Sequence, residues 1–282
     1  MPRFTSYDGL QLAYHDLGEG SPLVCVPGGP GRAAGYLEDL GRLSCHRRLV
    51  LPDTRGTGAS GVPDDSGTYA FTALAGDVEA LREHLGLEHL DLLAHSAGAT
   101  VAQAYAARHP QRVNRLVLVT PGTRLQGRAV DDDIASILQR RSHEPWYADA
   151  AIAFAKLRET TDADEIRRLV PRLLPATYGR WDRRQQAHAA EERSQVSSAA
   201  REGFWNHDTD FYELVVNLAR VLAPVLVITG ASDALSGVAA GDVVAQCFRD
   251  SRHVTLDGCG HYPWVDEPDA FVAAVMEFLG GR

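Results

Sequence analysis

The chain has 282 residues, 45% of them hydrophobic, and a formal net charge of -9. That length allows one large α/β domain with an insertion, or two small domains. The acidic balance excludes nucleic acid as a partner, because phosphate-backbone binding needs a basic surface and no basic stripe runs through the sequence.

Taken in chain order, the first residues, Met1-Pro2-Arg3-Phe4-Thr5-Ser6, lack the apolar core and cleavage site of a leader, and no later stretch reaches bilayer-spanning length. A cytoplasmic protein with no membrane partner is expected. Residues 3–6 and 10–17 read as strands joined at Asp8-Gly9, a strong hairpin signal, so the sheet opens antiparallel. Residues 22–26 form a short buried strand that runs into Pro27-Gly28-Gly29-Pro30-Gly31. A glycine-rich loop at a strand's end lets backbone N–H groups approach a ligand with no side chain between them. The loop has neither the lysine of a phosphate loop nor G-x-G-x-x-G spacing, so donors to a developing oxyanion fit it better. Residues 34–43 are predicted as a helix and 48–52 as the next strand. That strand opens onto Asp53-Thr54-Arg55-Gly56-Thr57-Gly58-Ala59-Ser60, where a pairing of Asp53 with Arg55 would hold this loop beside the previous one. A helix over 71–85 places Leu74, Val78, Leu81 and Leu85 on one face and stops at Gly86.

The strand over 90–93 then meets a helix of small residues at Ala97, with Ser96 on the turn between them. So abrupt a strand-to-helix turn strains the serine backbone and admits only small flanking residues, the context in which a serine becomes a nucleophile. The pattern is A-x-S-x-G, from Ala94, Ser96 and Gly98; the same serine would also serve as an ordinary helix N-cap. The helix ends near His109-Pro110, and 113–120 is another apolar strand. Strands and helices in this alternation imply a parallel sheet covered on both faces.

Residues 125–219 change character: charge is dense, apolar strand runs vanish, and 132–139, 147–158, 164–174 and 184–195 read as helices. This is predicted to be an inserted helical cap, dividing a core into residues 1–124 and 220–282. Sheet architecture returns at 224–230, followed by Ala231-Ser232-Asp233, a helix, a strand over 252–256 and a loop through His261. The last helix starts near Pro268. Cys25, Cys45, Cys247 and Cys259 stand singly and read as free thiols.

Ligands of open parallel sheets bind beyond the carboxyl ends of the strands, and Ser96, Asp233, His261 and the 27–31 loop all follow such ends. The order Ser, Asp, His is that of an α/β-hydrolase triad. The chain resembles the α/β-hydrolase superfamily and, within it, the proline iminopeptidase-like group. Pro27-Gly28-Gly29-Pro30-Gly31 is similar to the group's H-G-G-P-G loop, residues 53–60 to its D-x-R-G-x-G-x-S segment, and Gly258-Cys259-Gly260-His261-Tyr262-Pro263-Trp264 to its histidine loop. The resemblance implies an α/β-hydrolase fold, a mostly parallel central sheet flanked by helices with an inserted helical cap. It makes Ser96 the nucleophile, His261 the base and then acid, and Asp233 the group orienting His261, with the N–H groups of Gly29 and Ala97 as oxyanion hole. Such a site forms an acyl-enzyme.

Around this constellation, His95 is expected to pack, and Asp257 is a turn residue or a rival acid. His207 is a further histidine, in the cap. No metal is expected, since no H-E-x-x-H or comparable pair exists, and no cofactor is implied. The substrate is a small molecule or short peptide, carrying an ester or an amide. Proline iminopeptidases carry a bulky residue after the serine, where this chain has Ala97, and a histidine where it has Pro27. Trp181, Asp182, Glu191 and Glu192 are candidates for binding a substrate amine, and Trp146, Phe204 and Trp205 for lining an apolar pocket. Removal of an N-terminal proline is the most specific reading. Ester or lactone hydrolysis, and acyl transfer or a non-hydrolytic role, are the alternatives.

Overall fold

Eight strands make one sheet in the computed structural model, which describes residues 1–127, 133–206 and 209–280. They are β1 (Arg3–Thr5), β2 (Gln11–Leu17), β3 (Pro22–Val26), β4 (Arg48–Pro52), β5 (Leu90–His95), β6 (Val113–Val119), β7 (Val225–Gly230) and β8 (Ser251–Leu256), in the spatial order β1-β2-β4-β3-β5-β6-β7-β8. β1 and β2 pair antiparallel, as the Asp8-Gly9 turn predicts, and β2 runs antiparallel to β4. Every pairing from β4 through β8 is parallel. The register sets Val26 against Ala94, His95 against Val119, Val119 against Ile228 and Gly230 against Leu256. The carboxyl ends of five strands therefore line one edge, and the loops that leave them converge there.

Helices α1 (Phe71–His84) and α2 (Ala97–Arg108) flank β5 in sequence. Between β6 and β7 the described residues are helical: α3 (Asp133–Arg140), α4 (Tyr147–Leu157), α5 (Ala163–Leu173), α6 (Arg183–Ala190), α7 (Glu192–Gln195), α8 (Ser198–Gly203) and α9 (Phe211–Leu218). After β7 come α10 (Ala239–Ala245), α11 (Pro263–Asp266) and α12 (Pro268–Gly280). Alternate residues of the central strands feed two cores. Val24, Leu92, Ala94 and Leu118 face α1 and α2, while Cys25, Leu93, Val117 and Ile228 face the side of Trp264 and Phe271.

Two predicted helices differ in the structure. Residues 34–43 are two 3-10 turns, Ala34–Leu37 and Leu43–Cys45, joined through Glu38, Leu40 and Arg42 at positive φ. Leu37, Leu40 and Leu43 are all fully buried, and a spacing of three suits a 3-10 path better than an α-helix, whose face drifts past that spacing. The predicted helix over 184–195 breaks at Glu191 into α6 and α7, after which Val196 bridges Arg32 of the loop behind β3. The pairing of Asp53 with Arg55 is also absent. Asp53 accepts the N–H groups of Ala34 and Ala59, both at 2.9 Å, so it does tie the two loops together. Fully buried Arg55 instead pairs with Asp77 and Asp8.

Candidate active site

Ser96 follows β5 directly and sits at φ 53°, ψ -120°. A non-glycine residue held there costs on the order of 1–3 kcal/mol, which the surrounding packing must over-determine. Its N–H is fixed by Val119 O at 2.9 Å, and its hydroxyl makes no capping bond, so the N-cap role left open by the sequence is not taken. Ser96 is only partly buried, although the ends of the neighbouring strands are buried. Gly28 lies against this turn: a methyl group there would meet Ser96 Cβ at 2.9 Å and Ala97 N at 3.2 Å. The loop after β3 thus reaches the start of α2, where the first backbone N–H groups have no helical acceptor. Among the described residues, the N–H groups of Gly29 and Ala97 donate to no protein group.

A chain of hydrogen bonds joins this loop to the histidine. Gly28 N–H donates to Tyr36 Oη at 2.7 Å, the Tyr36 hydroxyl donates to His95 Nδ1 at 2.7 Å, and His95 Nε2–H donates to His261 O at 2.9 Å. A carbonyl only accepts, which sets the His95 tautomer and the direction of the chain. Burial holds His95 well below the ordinary histidine range, with the His261 charge opposing protonation in addition. The same burial pushes the Tyr36 phenol up, so it remains a donor. His95 therefore does more than the packing expected of it.

His261 is pinned at every backbone group. Its N–H donates to Thr177 O at 2.7 Å, and its carbonyl also accepts from Thr120 Oγ1 at 3.1 Å. Its ring Nδ1 lies 2.9 Å from Asp233 Oδ2, with the ring 2% and the carboxylate 0% exposed. Asp233 Oδ1 is occupied by the N–H groups of Leu235 and Ser236, at 2.8 and 3.2 Å. That leaves Oδ2 to the imidazole, and leaves the His261 Nε2 as an acceptor when the ring is neutral. The rival acid, Asp257, is exposed. The His95 and His261 ring centroids are 4.8 Å apart, which brings the serine turn and the histidine loop together.

Of the other residues singled out by sequence, Trp146 packs with Ile134 and Ala150 under Arg141, whose guanidinium carbon is 4.5 Å from the ring. Phe204 lies in the core with Phe71, and half-buried Trp205 carries Arg124 over its ring at 4.1 Å. Trp181 leans on Tyr178, ring centroids 5.4 Å apart. Asp182 caps α6 and pairs with Arg180, exposed Glu191 accepts from Gln195, and Glu192 pairs with Arg201 at 3.2 Å. Glu192 is the acidic residue of the set whose charge reaches Tyr36, Tyr178 and Tyr262 around the histidine loop. His207 lies outside the described residues. Among the described residues, no cluster of three or more His, Cys, Asp or Glu side chains could hold a metal, and no helix is long and apolar enough to cross a membrane. The four cysteines are free. Sequence reading gave no role to Tyr36, Thr120 and Thr177, which reach the Gly28 N–H, the His95 ring and the His261 main chain and carry no motif.

A family model for the alpha/beta hydrolase fold matches residues 21–268, and the chain belongs to that family, as its motifs imply. Within it, the chain is similar to the proline iminopeptidase of Lactobacillus helveticus, 28% identical over 298 aligned positions covering 96% of this chain and 95% of that one. The esterase RhEst1 from Rhodococcus sp. ECU1013 is 26% identical, with a TM-score of 0.74 over 99% of this chain and 98% of that one. The enol-lactonase of Burkholderia xenovorans LB400 shares the fold, with a TM-score of 0.71 at 24% identity over 99% of this chain and 100% of that one.

Proposed function

We propose that the protein is a serine hydrolase acting through an acyl-enzyme on a small ester or amide. The observation that carries this reading is the buried Asp233–His261 pair, whose imidazole lies against the ring of His95, the residue preceding a strained, partly buried serine whose hydroxyl is spent on no cap. In the reaction His261 takes the Ser96 proton as the oxygen attacks the carbonyl, and Asp233 holds the tautomer and stabilises the imidazolium. The Gly29 and Ala97 N–H groups receive the tetrahedral oxyanion. His261 then returns the proton to the leaving group, and water repeats the sequence on the acyl-enzyme. The helices between β6 and β7 form a cap over these loops, with residues 125–219 as its extent.

Release of an N-terminal proline is supported by the similarity to proline iminopeptidases along almost the whole chain. That substrate needs a carboxylate for its amine, and Glu192 is the candidate whose charge acts on Tyr262 of the histidine loop. A second reading, hydrolysis of an ester or lactone, is favoured by the engagement of Asp182 and Glu192 with arginines, which leaves less charge for an amine. Prolyl p-nitroanilide and p-nitrophenyl acetate, offered to wild type and Ser96→Ala, test both. Serine-dependent release from the anilide supports the aminopeptidase, and release from the acetate alone supports the esterase. Activity that survives in Ser96→Ala would overturn the acyl-enzyme.

A further inference from the structure

Asp266 stands outside the proposed triad, five residues beyond His261 in α11, and is fully buried. A carboxylate in that position must be matched by donors, since leaving it unpartnered costs several kcal/mol. Its donors come from two parts of the chain. Oδ2 accepts the Gly260 N–H at 2.8 Å and the Gly179 N–H at 2.7 Å, and Oδ1 accepts Gln185 Nε2 at 3.0 Å. Gly260 immediately precedes His261, whereas Gly179 and Gln185 belong to the insertion. Among the described residues no cation pairs with this carboxylate within 4.0 Å, and burial pushes it above the usual carboxylate range. The carboxylate oxygens are thus held by amides, and the cation whose charge acts on them, Arg180, donates to the Asp266 main-chain carbonyl at 2.6 Å instead.

The two strips of backbone that Asp266 holds are in close contact. A methyl group on Gly179 would overlap Gly258 O, and one on Gly260 would lie 2.6 Å from Tyr178 Cα. His261 N–H donates to Thr177 O in the same strip. One carboxylate oxygen therefore sets the spacing between residues 177–179 and residues 258–261, and His261 hangs from the second of these.

We infer that Asp266 is a positioning residue: acting through the Gly260 N–H, it places the His261 imidazole and clamps the cap segment to the same loop. This rests on the reading of His261 as the base. The role calls for an acceptor and not for a negative charge. An asparagine presents the same acceptor to both glycines and turns its NH2 toward Gln185, whose Oε1 is buried without a partner and needs only an amide flip to accept.

The test compares Asp266→Ala, Asp266→Asn and Gln185→Leu with wild type and Ser96→Ala on whichever chromogenic substrate is turned over, with thermal melts to report the folded fraction. Asp266→Ala is expected to lower kcat about 100-fold with KM unchanged, the cost of displacing a catalytic group by about 1 Å. Asp266→Asn should restore kcat to within a few-fold of wild type, and Gln185→Leu should lower kcat by a few-fold. An unchanged kcat in Asp266→Ala overturns the proposal, as does an equal loss in Ala and Asn, which would assign the effect to charge. If Asp266→Ala does not fold, Gln185→Leu decides: a kcat loss at constant KM supports the role, and unchanged kinetics overturn it. Full activity in Ser96→Ala would instead remove the reading beneath it.

Discussion

Two Asp–His–hydroxyl constellations stand out among the described residues, and the one with the fuller set of hydrogen bonds is not the candidate active site. Asp242 Oδ1 lies 2.7 Å from His253 Nδ1, and His253 Nε2 lies 2.8 Å from Thr229 Oγ1, the connectivity of a triad. Thr229 is fully buried within the β7–β8 pairing, opposite Thr255, and Asp242 is 66% exposed. In the other set the burial is reversed, with the carboxylate sealed from water and the serine only partly buried. On the proposed function, the difference teaches that hydrogen-bond geometry alone does not make a nucleophile. A hydroxyl must stand at a strand's end, be reachable, and have unspent N–H donors beside it. A buried carboxylate must hold its histidine where water does not compete.

Substitutions can break this comparison. The largest effect is expected from the two histidines: His261→Ala should lower kcat/KM by about 10⁶-fold, while His253→Ala leaves it unchanged. Comparable losses in both would erase the distinction. Next come the two acids. Asp233→Asn, which permits the wrong tautomer, should cost about 10⁴-fold in kcat, and Asp242→Asn nothing measurable in the same assay.

His95→Gln sharpens the comparison from behind, because His95 ties the serine turn to the His261 carbonyl. A loss of about 10- to 100-fold in kcat is expected from a looser histidine loop. The same residue yields a pH signature. Its folded pKa is depressed, so between that value and the ordinary one near 6.5 the unfolded chain binds the extra proton. Stability is therefore fully present above about pH 6.5 and is lost as pH falls toward the depressed folded value. Melts at pH 7.5 and 5 should show this acid loss in wild type and less of it in His95→Gln, and parallel curves would refute it. The smallest effect belongs to Thr229→Val. It leaves His253 short of a partner and should cost about 1 kcal/mol in denaturant unfolding without touching catalysis.

The contrast also explains what the sequence made legible. Ser96, Asp233 and His261 each end a strand run in a short loop rich in glycine or small residues, so local pattern finds them and the rule of strand ends gathers them. The fold class followed from the same alternation. Tyr36 and Asp266 leave no such trace, since each works by meeting the backbone or ring of a residue 59 or 87 positions away in the chain. The 34–43 segment misled because Leu37, Leu40 and Leu43 satisfy a helical reading until burial shows that all three share one line. Helix α9 was not read from the sequence. Asp210 caps it through the N–H groups of Tyr212 and Glu213, a start signal that the density of charge around it obscured.

Residues 125–219 meet the loops around Ser96 and His261 through side chains such as Gln185 and His188, and also through main-chain atoms: Ala33 N–H on Gln195 O at 2.9 Å, Ser197 N–H on Gly31 O at 2.8 Å, and His261 N–H on Thr177 O at 2.7 Å. Main-chain bonds are indifferent to the side chain carried at either end. The outward-facing positions of α3 to α5 make none of these bonds and are free to drift, or to be randomised in a library, without moving His261. On the proposed function, substrate preference and chemical competence are then separately evolvable in one polypeptide.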